Sequence, residues 1–325
     1  MTDHDDVRLP LLGAYAMAPT DPADEAVFYD GVADLGIGGL ELPLPLPGAP
    51  SLEPAWLARN VLPSWDLLVT CIPTVMGRLG TDPAYGLAAA DDDARARALA
   101  DVARARDLAL RLADEHGRRR VVGIQVHSAP GPRGGGRDAL TRSLEEISGW
   151  DLAGAQLLVE HCDAASDEHV AVKGFLALED EIAAVRTAGG SVSGSADATG
   201  LSVNWGRSAI EGRSAATPVE HVRGAVDAGL LGAVVLSGAT GETTAWGEAW
   251  GDAHIPPRGG DPALAPSSAS LLGPDEVRET LDAAGPAALV AVKVSVRPRD
   301  ADVPTRLAVA RAALTLVGDA RRAAR

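Results

Sequence analysis

Eight short apolar runs alternate along this chain with amphipathic helical stretches, and this alternation limits the fold more than any other feature of the sequence. The runs cover residues 9–16, 39–44, 66–72, 121–127, 156–161, 201–205, 233–237 and 289–294. A helix candidate follows each, most clearly at 91–116, 178–188, 218–228, 274–284 and 303–317. A short apolar run feeding an amphipathic helix is a βα unit, and consecutive units build a parallel sheet. Eight units without a marked linker predict one single-domain (β/α)8 TIM barrel over residues 1–325. An open doubly wound sheet is the alternative topology. No GxGxxG follows the first run, which argues against a dinucleotide-binding domain. The 325 residues suit a barrel of ~250 residues with insertions.

Local signals place several boundaries. Thr217 before Pro218, with Glu220 three residues on, predicts a capping box. Gly273-Pro274-Asp275-Glu276 opens a second helix, and Gly229 and Gly285 stand where helices end. Two connections are long. Residues 191–200 are rich in Gly, Ser and Ala and read as a flexible surface loop. Residues 238–273 follow the seventh run and hold Trp246, Trp250, Asp252, His254 and Pro256-Pro257. Their length and their tryptophans predict an ordered active-site lid.

A net charge of −16 disfavours nucleic acid and anionic membrane as partners. No apolar run approaches a membrane span, and the acidic N-terminus has no targeting character, so a cytoplasmic location is expected. A homo-oligomer is left open. Cys71 and Cys162 follow apolar runs and read as buried free thiols. Lys173 and Lys293 are the only lysines among 29 basic residues, which hints that these positions need an ammonium.

Side chains alternate along a strand. Valines 290, 292 and 294 therefore face one way and Ala291, Lys293 and Ser295 the other. The same parity sends Glu41, Thr70, Gln125, His127, Gln156, Glu160, Ser202, Asn204 and Ser237 toward the barrel axis, and His161 toward the helices. Nearly every strand thus ends in an inward polar group, at the end where such barrels place their chemistry.

Glu160 is the candidate general base, since a part-buried carboxylate has a raised pKa, though an ion pair with Lys293 or an arginine is the plainer role. Lys293 could stabilise an enolate, form a Schiff base if burial depresses its pKa, or sit in a salt bridge. His127 could relay protons, and Glu41 is a second acid/base group. Asn204, Trp205, Arg207 and Ser237 are candidate substrate contacts, with Arg207 suited to a carboxylate or phosphate. Trp246, Trp250 and His254 would close over the ligand. Glu41, His127 and Glu160 could hold a divalent metal, but no HxxxH, HxH or CxxC supports one, and Lys293 would repel it. Asp163 reads as a residue that orients a neighbour or caps a helix.

The segments GLELP and VEHCD resemble the glutamate-bearing strands of xylose-isomerase-like barrels, a superfamily of sugar isomerases, epimerases and related enzymes. IQVHSAP, GAQLLVEHCD, KGFLALEDEI, VNWGRSAIE and GDAHIPP further resemble a bacterial barrel family classed as a domain of unknown function. The superfamily resemblance implies a divalent metal held on strands five to eight. Of those positions Glu160 matches, whereas the others read Asn204, Ser237 and Lys293. It also implies a sugar-like substrate and proton abstraction next to a carbonyl, as in an isomerase, epimerase or related lyase. A Lys293 Schiff-base aldolase and a non-catalytic metabolite-binding barrel are the alternatives.

Overall fold

The computed structural model of the chain describes residues 8–49, 52–191, 198–286 and 288–323. Eight strands, β1 (Leu11–Leu12), β2 (Gly39–Pro43), β3 (Asp66–Thr70), β4 (Val121–Val126), β5 (Gln156–His161), β6 (Thr199–Asn204), β7 (Leu231–Leu236) and β8 (Leu289–Val292), pair in parallel in chain order. Register contacts Leu11↔Ala291 and Leu12↔Val292 close the barrel. The helices are α1 (Pro22–Ala33), α2 (Pro54–Asn60), α3 (Ile72–Leu79), α4 (Asp92–His116), α5 (Arg137–Ser148), α6 (Leu178–Thr187), α7 (Trp205–Gly212), α8 (Thr217–Asp227), α9 (Pro274–Ala284) and α10 (Val303–Ala323). The single-domain TIM barrel expected from the alternation is the fold found. Among the described residues, no helix is long and apolar enough to cross a membrane.

Strand parity divides the core into two parts. Outward residues such as Leu40, Leu42, Leu157, Val159, Val290 and Val292 join the apolar layer beneath the helices. Inward residues Leu11, Leu68, Val122, Leu158, Ala233, Val235, Leu289 and Ala291 plug the barrel. Above this plug a buried Gln125 Nε2 donates to Ser202 Oγ at 2.9 Å. The polar mouth lies above that bond, so its floor is dry and its side chains project from rigid strand ends.

Some boundaries differ from expectation. The first run supplies a two-residue strand and then a 3-10 turn at Ala14–Ala16. Trp205 opens α7 instead of ending a strand. Lys293 lies one residue past β8, yet its N–H still donates to Leu236 O at 2.9 Å, which keeps it in the ladder. The capping box at Thr217 does not form. Ala216 is the N-cap, and Thr217 packs so tightly on Gly212 that a Cβ there would lie 1.9 Å from its hydroxyl. Glu276 does cap α9, accepting from Gly273 N at 3.0 Å. Most of the expected surface loop at 191–200 lies outside the described residues, and Thr199 and Gly200 belong to β6.

Candidate active site at the barrel mouth

Glu160, the residue before the last of β5, lies at the centre of the mouth, fully buried. Its Oε2 meets His127 Nε2 at 2.8 Å. Its Oε1 accepts from Asn204 Nδ2 at 3.0 Å and pairs with Arg207 Nη1 at 2.8 Å. Asn204 is also the N-cap of α7, its Oδ1 accepting from Arg207 N at 3.4 Å, so one amide fixes both the helix start and the carboxylate. Burial pushes the Glu160 carboxyl up, but the Arg207 charge and the His127 bond outweigh it and hold it well below the usual range. This corrects the expected raised pKa. Glu160 is a saturated carboxylate, a poor resting base.

Across the mouth, Lys293 Nζ donates to Glu41 Oε1 at 2.8 Å, both groups fully buried. Tyr15 OH donates to the same oxygen at 3.4 Å, and Lys293 Nζ lies 5.1 Å over the Tyr15 ring. Glu41 Oε2 has no hydrogen-bond partner among the described residues. Burial raises the Glu41 carboxyl against the opposing pull of Lys293. Burial would lower Lys293, but the charge of Glu41, with Tyr15 and Glu160 beside it, outweighs burial and raises it, so the depressed amine that a Schiff base needs is not present. Gly13 makes room for this pair: a Cβ there would lie 2.9 Å from Lys293 Cγ and 3.2 Å from Glu41 Oε2.

A third acid closes the site from above. Asp252 takes Arg207 Nε at 3.2 Å and Lys173 Nζ at 3.0 Å. Its other oxygen lies 3.4 Å from His254 Nδ1, which in turn sits 2.9 Å from Ser237 Oγ. Trp250 and His254, on either side of Asp252, have φ of 62° and 52°. A left-handed backbone at a non-glycine residue costs about 1–2 kcal/mol, and such strain is held where side chains must be aimed. Trp246 Nε1 donates to Ser295 Oγ at 3.0 Å, whose own hydroxyl donates to Ala253 O at 2.6 Å. An antiparallel bridge between Gly238 and Ile255 anchors the start of the segment.

The expected residues thus divide. Glu41, His127, Glu160, Asn204, Ser237, His254 and Lys293 converge on the mouth. Arg207 is there too, but its Nη1 faces Glu160 and Cys162 Sγ (3.3 Å) and its Nε faces Asp252, so most of its guanidinium is committed within the protein. Trp205 belongs to the apolar layer outside the barrel, and Trp250 packs against that layer with Arg213 5.1 Å over its ring. Neither is a mouth residue. Tyr15 escaped notice, although extending parity along the first run (Leu11, Gly13, Tyr15) would have found it. Lys173 was marked only by being a lysine. Cys71 and Cys162 are buried and free, as expected. Asp163 does orient a neighbour, its Oδ2 accepting from Val172 N and Lys173 N at 2.6 and 2.8 Å.

Residues 11–309 match the family described as Domain of unknown function (DUF4862). The chain belongs to this family. The uncharacterized protein STM3670 of Salmonella typhimurium is 32% identical over 326 residues, covering 96% of this chain and 97% of its own. Solved structures share the barrel at low identity. An L-ribulose 3-epimerase superposes with a TM-score of 0.57 at 15% identity, covering 98% of this chain and 97% of its own. A D-psicose 3-epimerase from Clostridium cellulolyticum H10, solved with D-tagatose, gives 0.54 at 17%, covering 95% and 98%. A xylose isomerase domain protein from Alicyclobacillus acidocaldarius gives 0.55 at 15%, covering 97% and 99%. These likenesses establish that the DUF4862 chain has the fold of xylose-isomerase-like barrels.

The mouth of this DUF4862 barrel does not fit the divalent metal that the superfamily implies. The expected ligand set of Glu41, His127 and Glu160 is not assembled, because Glu41 is turned to Lys293. The groups within 4.8 Å of one another are His127, Glu160 and Cys162. Arg207 already neutralises Glu160 and touches the Cys162 sulfur, and burial pushes that thiol well above its usual pKa. Glu41, Glu160 and Asp252 each already face a fixed cation (Lys293, Arg207 and Lys173), which weakens their pull on a metal ion.

His254 makes this site pH-sensitive. Burial lowers its pKa from 6.5 to about 3 despite the pull of Asp252. The folded form therefore favours neutral His254, a contribution present above about pH 6.5 and lost progressively as pH falls toward 3. Each pH unit in that window is worth up to ~1.4 kcal/mol. Urea unfolding at pH 6.5 and pH 5 should show wild type losing about 2 kcal/mol more than His254→Asn. Equal losses in the two proteins would exclude His254 as the source.

Proposed function

We propose that the barrel mouth is the active site of a sugar isomerase or epimerase type of enzyme that moves a proton on the carbon beside a carbonyl. The observation that carries this reading is the Lys293–Glu41–Tyr15 group. In a buried mouth a carboxylate oxygen without a protein partner is costly and supports a place for a ligand. Glu41, whose carboxyl burial raises above its usual value, is a better proton acceptor than Glu160, which is held below it. The base role expected of Glu160 therefore passes to Glu41. Lys293 Nζ and Tyr15 OH, both on the other oxygen of Glu41, supply the positive charge and the donor for the oxyanion that forms as the C–H proton leaves. Glu160 and Asn204 keep His127 and Arg207 in place as the far wall.

The epimerases that share the fold act on ketoses by their names, which supports a ketose-like substrate. Residues 238–273 act as the lid, and opening it breaks the contacts of Asp252 with Arg207 and Lys173. A groove of about 950 Å³ at the rim, lined in part by Arg133, His169 and Lys173, gives a route of approach.

The test is exchange in deuterium oxide. Neutral ketoses and aldoses incubated with wild type should gain deuterium at the carbon next to the carbonyl, read by mass spectrometry. Glu41→Gln should slow that gain by about 100-fold or more. If Glu41→Gln exchanges an accepted sugar as fast as wild type, Glu41 is not the base.

A further inference from the structure

A second cluster of metal-ligating side chains stands outside the barrel, and the proposed mouth chemistry does not use it. His161, the last residue of β5, points outward between helices as its parity requires. Its Nε2 lies 3.0 Å from Glu211 Oε2 on α7. The other oxygen of that carboxylate lies 3.7 Å from His221 Nε2 on α8. The two imidazoles pack edge to face with centroids 4.8 Å apart.

The far side of each ring is what distinguishes this group from an ordinary ion pair. His161 Nδ1 is held at 2.7 Å by Glu181 Oε2, and that carboxylate is itself fixed by Ser128 Oγ at 2.5 Å. His221 Nδ1 is held at 3.0 Å by Ser208 Oγ. Both rings therefore have Nδ1 engaged and Nε2 directed at one carboxylate. This is how protein metal sites orient histidine ligands, through a second hydrogen bond that sets tautomer and angle. With Zn–N and Zn–O bonds of about 2.0–2.1 Å, tetrahedral ligands stand roughly 3.3 Å apart. One ligand atom from each of His161, Glu211 and His221 lies within 4.8 Å of the other two, so modest side-chain adjustment around an ion brings them to that spacing. His161 is fully buried, whereas the Glu211 and His221 side chains are 22% and 15% exposed, so solvent reaches the open side.

We propose that His161, Glu211 and His221 form a zinc-class divalent metal site joining β5, α7 and α8, with water as the fourth ligand. In the metal-free protein His161 Nε2 holds a proton toward Glu211. The incoming ion takes the Nε2 lone pair and that proton leaves to solvent. Zinc-class ions suit a set of two imidazoles and one carboxylate, whereas magnesium and calcium prefer oxygen ligands throughout. The site lies behind the mouth, since α7 also carries Arg207. The bound ion would tie that helix to β5.

Chelator-treated full-length protein is titrated with Zn2+ by calorimetry, and Co2+ serves as the spectroscopic probe. The expected result is one Zn2+ per chain, and a tetrahedral Co2+ spectrum without a thiolate charge-transfer band. His221→Gln and Glu211→Gln should each weaken Zn2+ binding about 100-fold. Glu181→Gln should weaken it about 10-fold through ligand orientation. Cys162→Ala should leave it unchanged. Absence of Zn2+ binding by folded wild type overturns the site. A thiolate band for Co2+ also overturns it, since it would place the ion at Cys162, and that reading needs no variant to fold. Full retention of binding in His221→Gln would overturn it as well.

Discussion

Arg207→Met should destabilise the protein by about 3–5 kcal/mol at pH 7, the range for removing one partner of a buried ion pair. Arg207 is 1% exposed, and its guanidinium lies against Glu160, Asp252 and Cys162. Methionine keeps much of the volume and none of the donors, so two buried carboxylates lose compensation together. The pH dependence should change with it. Glu160 and Asp252 are both held well below the usual carboxylate range, with Arg207 the largest force opposing burial. Groups depressed on folding stabilise above their unfolded pKa, about 4, and lose that contribution as pH falls through the folded value. Without Arg207 both folded values rise, so acid unfolding should begin at higher pH. Chemical denaturation from pH 4 to 8 measures this, and an unshifted acid limb would show that Arg207 is not their counter-charge.

Lys293→Met should cost a similar ~3–5 kcal/mol, because the buried Glu41 loses its counter-charge. Lys293 is raised on folding. The contribution of the Lys293 ammonium is therefore complete below the unfolded lysine pKa of about 10.4 and is lost only as pH rises through the folded value. The informative comparison is the double variant Glu41→Gln/Lys293→Met. Removing both charges abolishes the unpaired carboxylate, so the double variant should regain most of the stability lost by the single one. A double variant no more stable than Lys293→Met would mean that Lys293 contributes through packing against Tyr15 and Gly13.

The barrel and the inward set were legible because both follow from period. An apolar run repeating eight times admits few topologies, and strand parity carries Glu41, His127, Glu160 and Lys293 to one face whatever the exact boundaries. Partner choice was not legible. Glu160 and Glu41 read alike in sequence, yet Arg207 and His127 saturate one while the other keeps an unpartnered oxygen. That difference depends on the first turn of α7, where Asn204 caps the helix and turns Arg207 inward. Trp205 was misplaced for the same reason, since a strand ending at 204 hands its next residue to helical geometry. The outer cluster went unnoticed because its four main residues are spread over positions 161, 181, 211 and 221 and meet only when three helices pack on β5.

The matching of three acids with three bases at the mouth bears on selectivity. A neutral polyol that enters exchanges water for hydrogen bonds and leaves the local charge count at zero. A phosphorylated sugar or a sugar acid would add negative charge beside Lys173, Arg207 and Lys293, each of which already faces a carboxylate. Under the proposed sugar chemistry, neutral sugars should therefore be accepted in preference to anionic ones, before the shape of the sugar ring is tested.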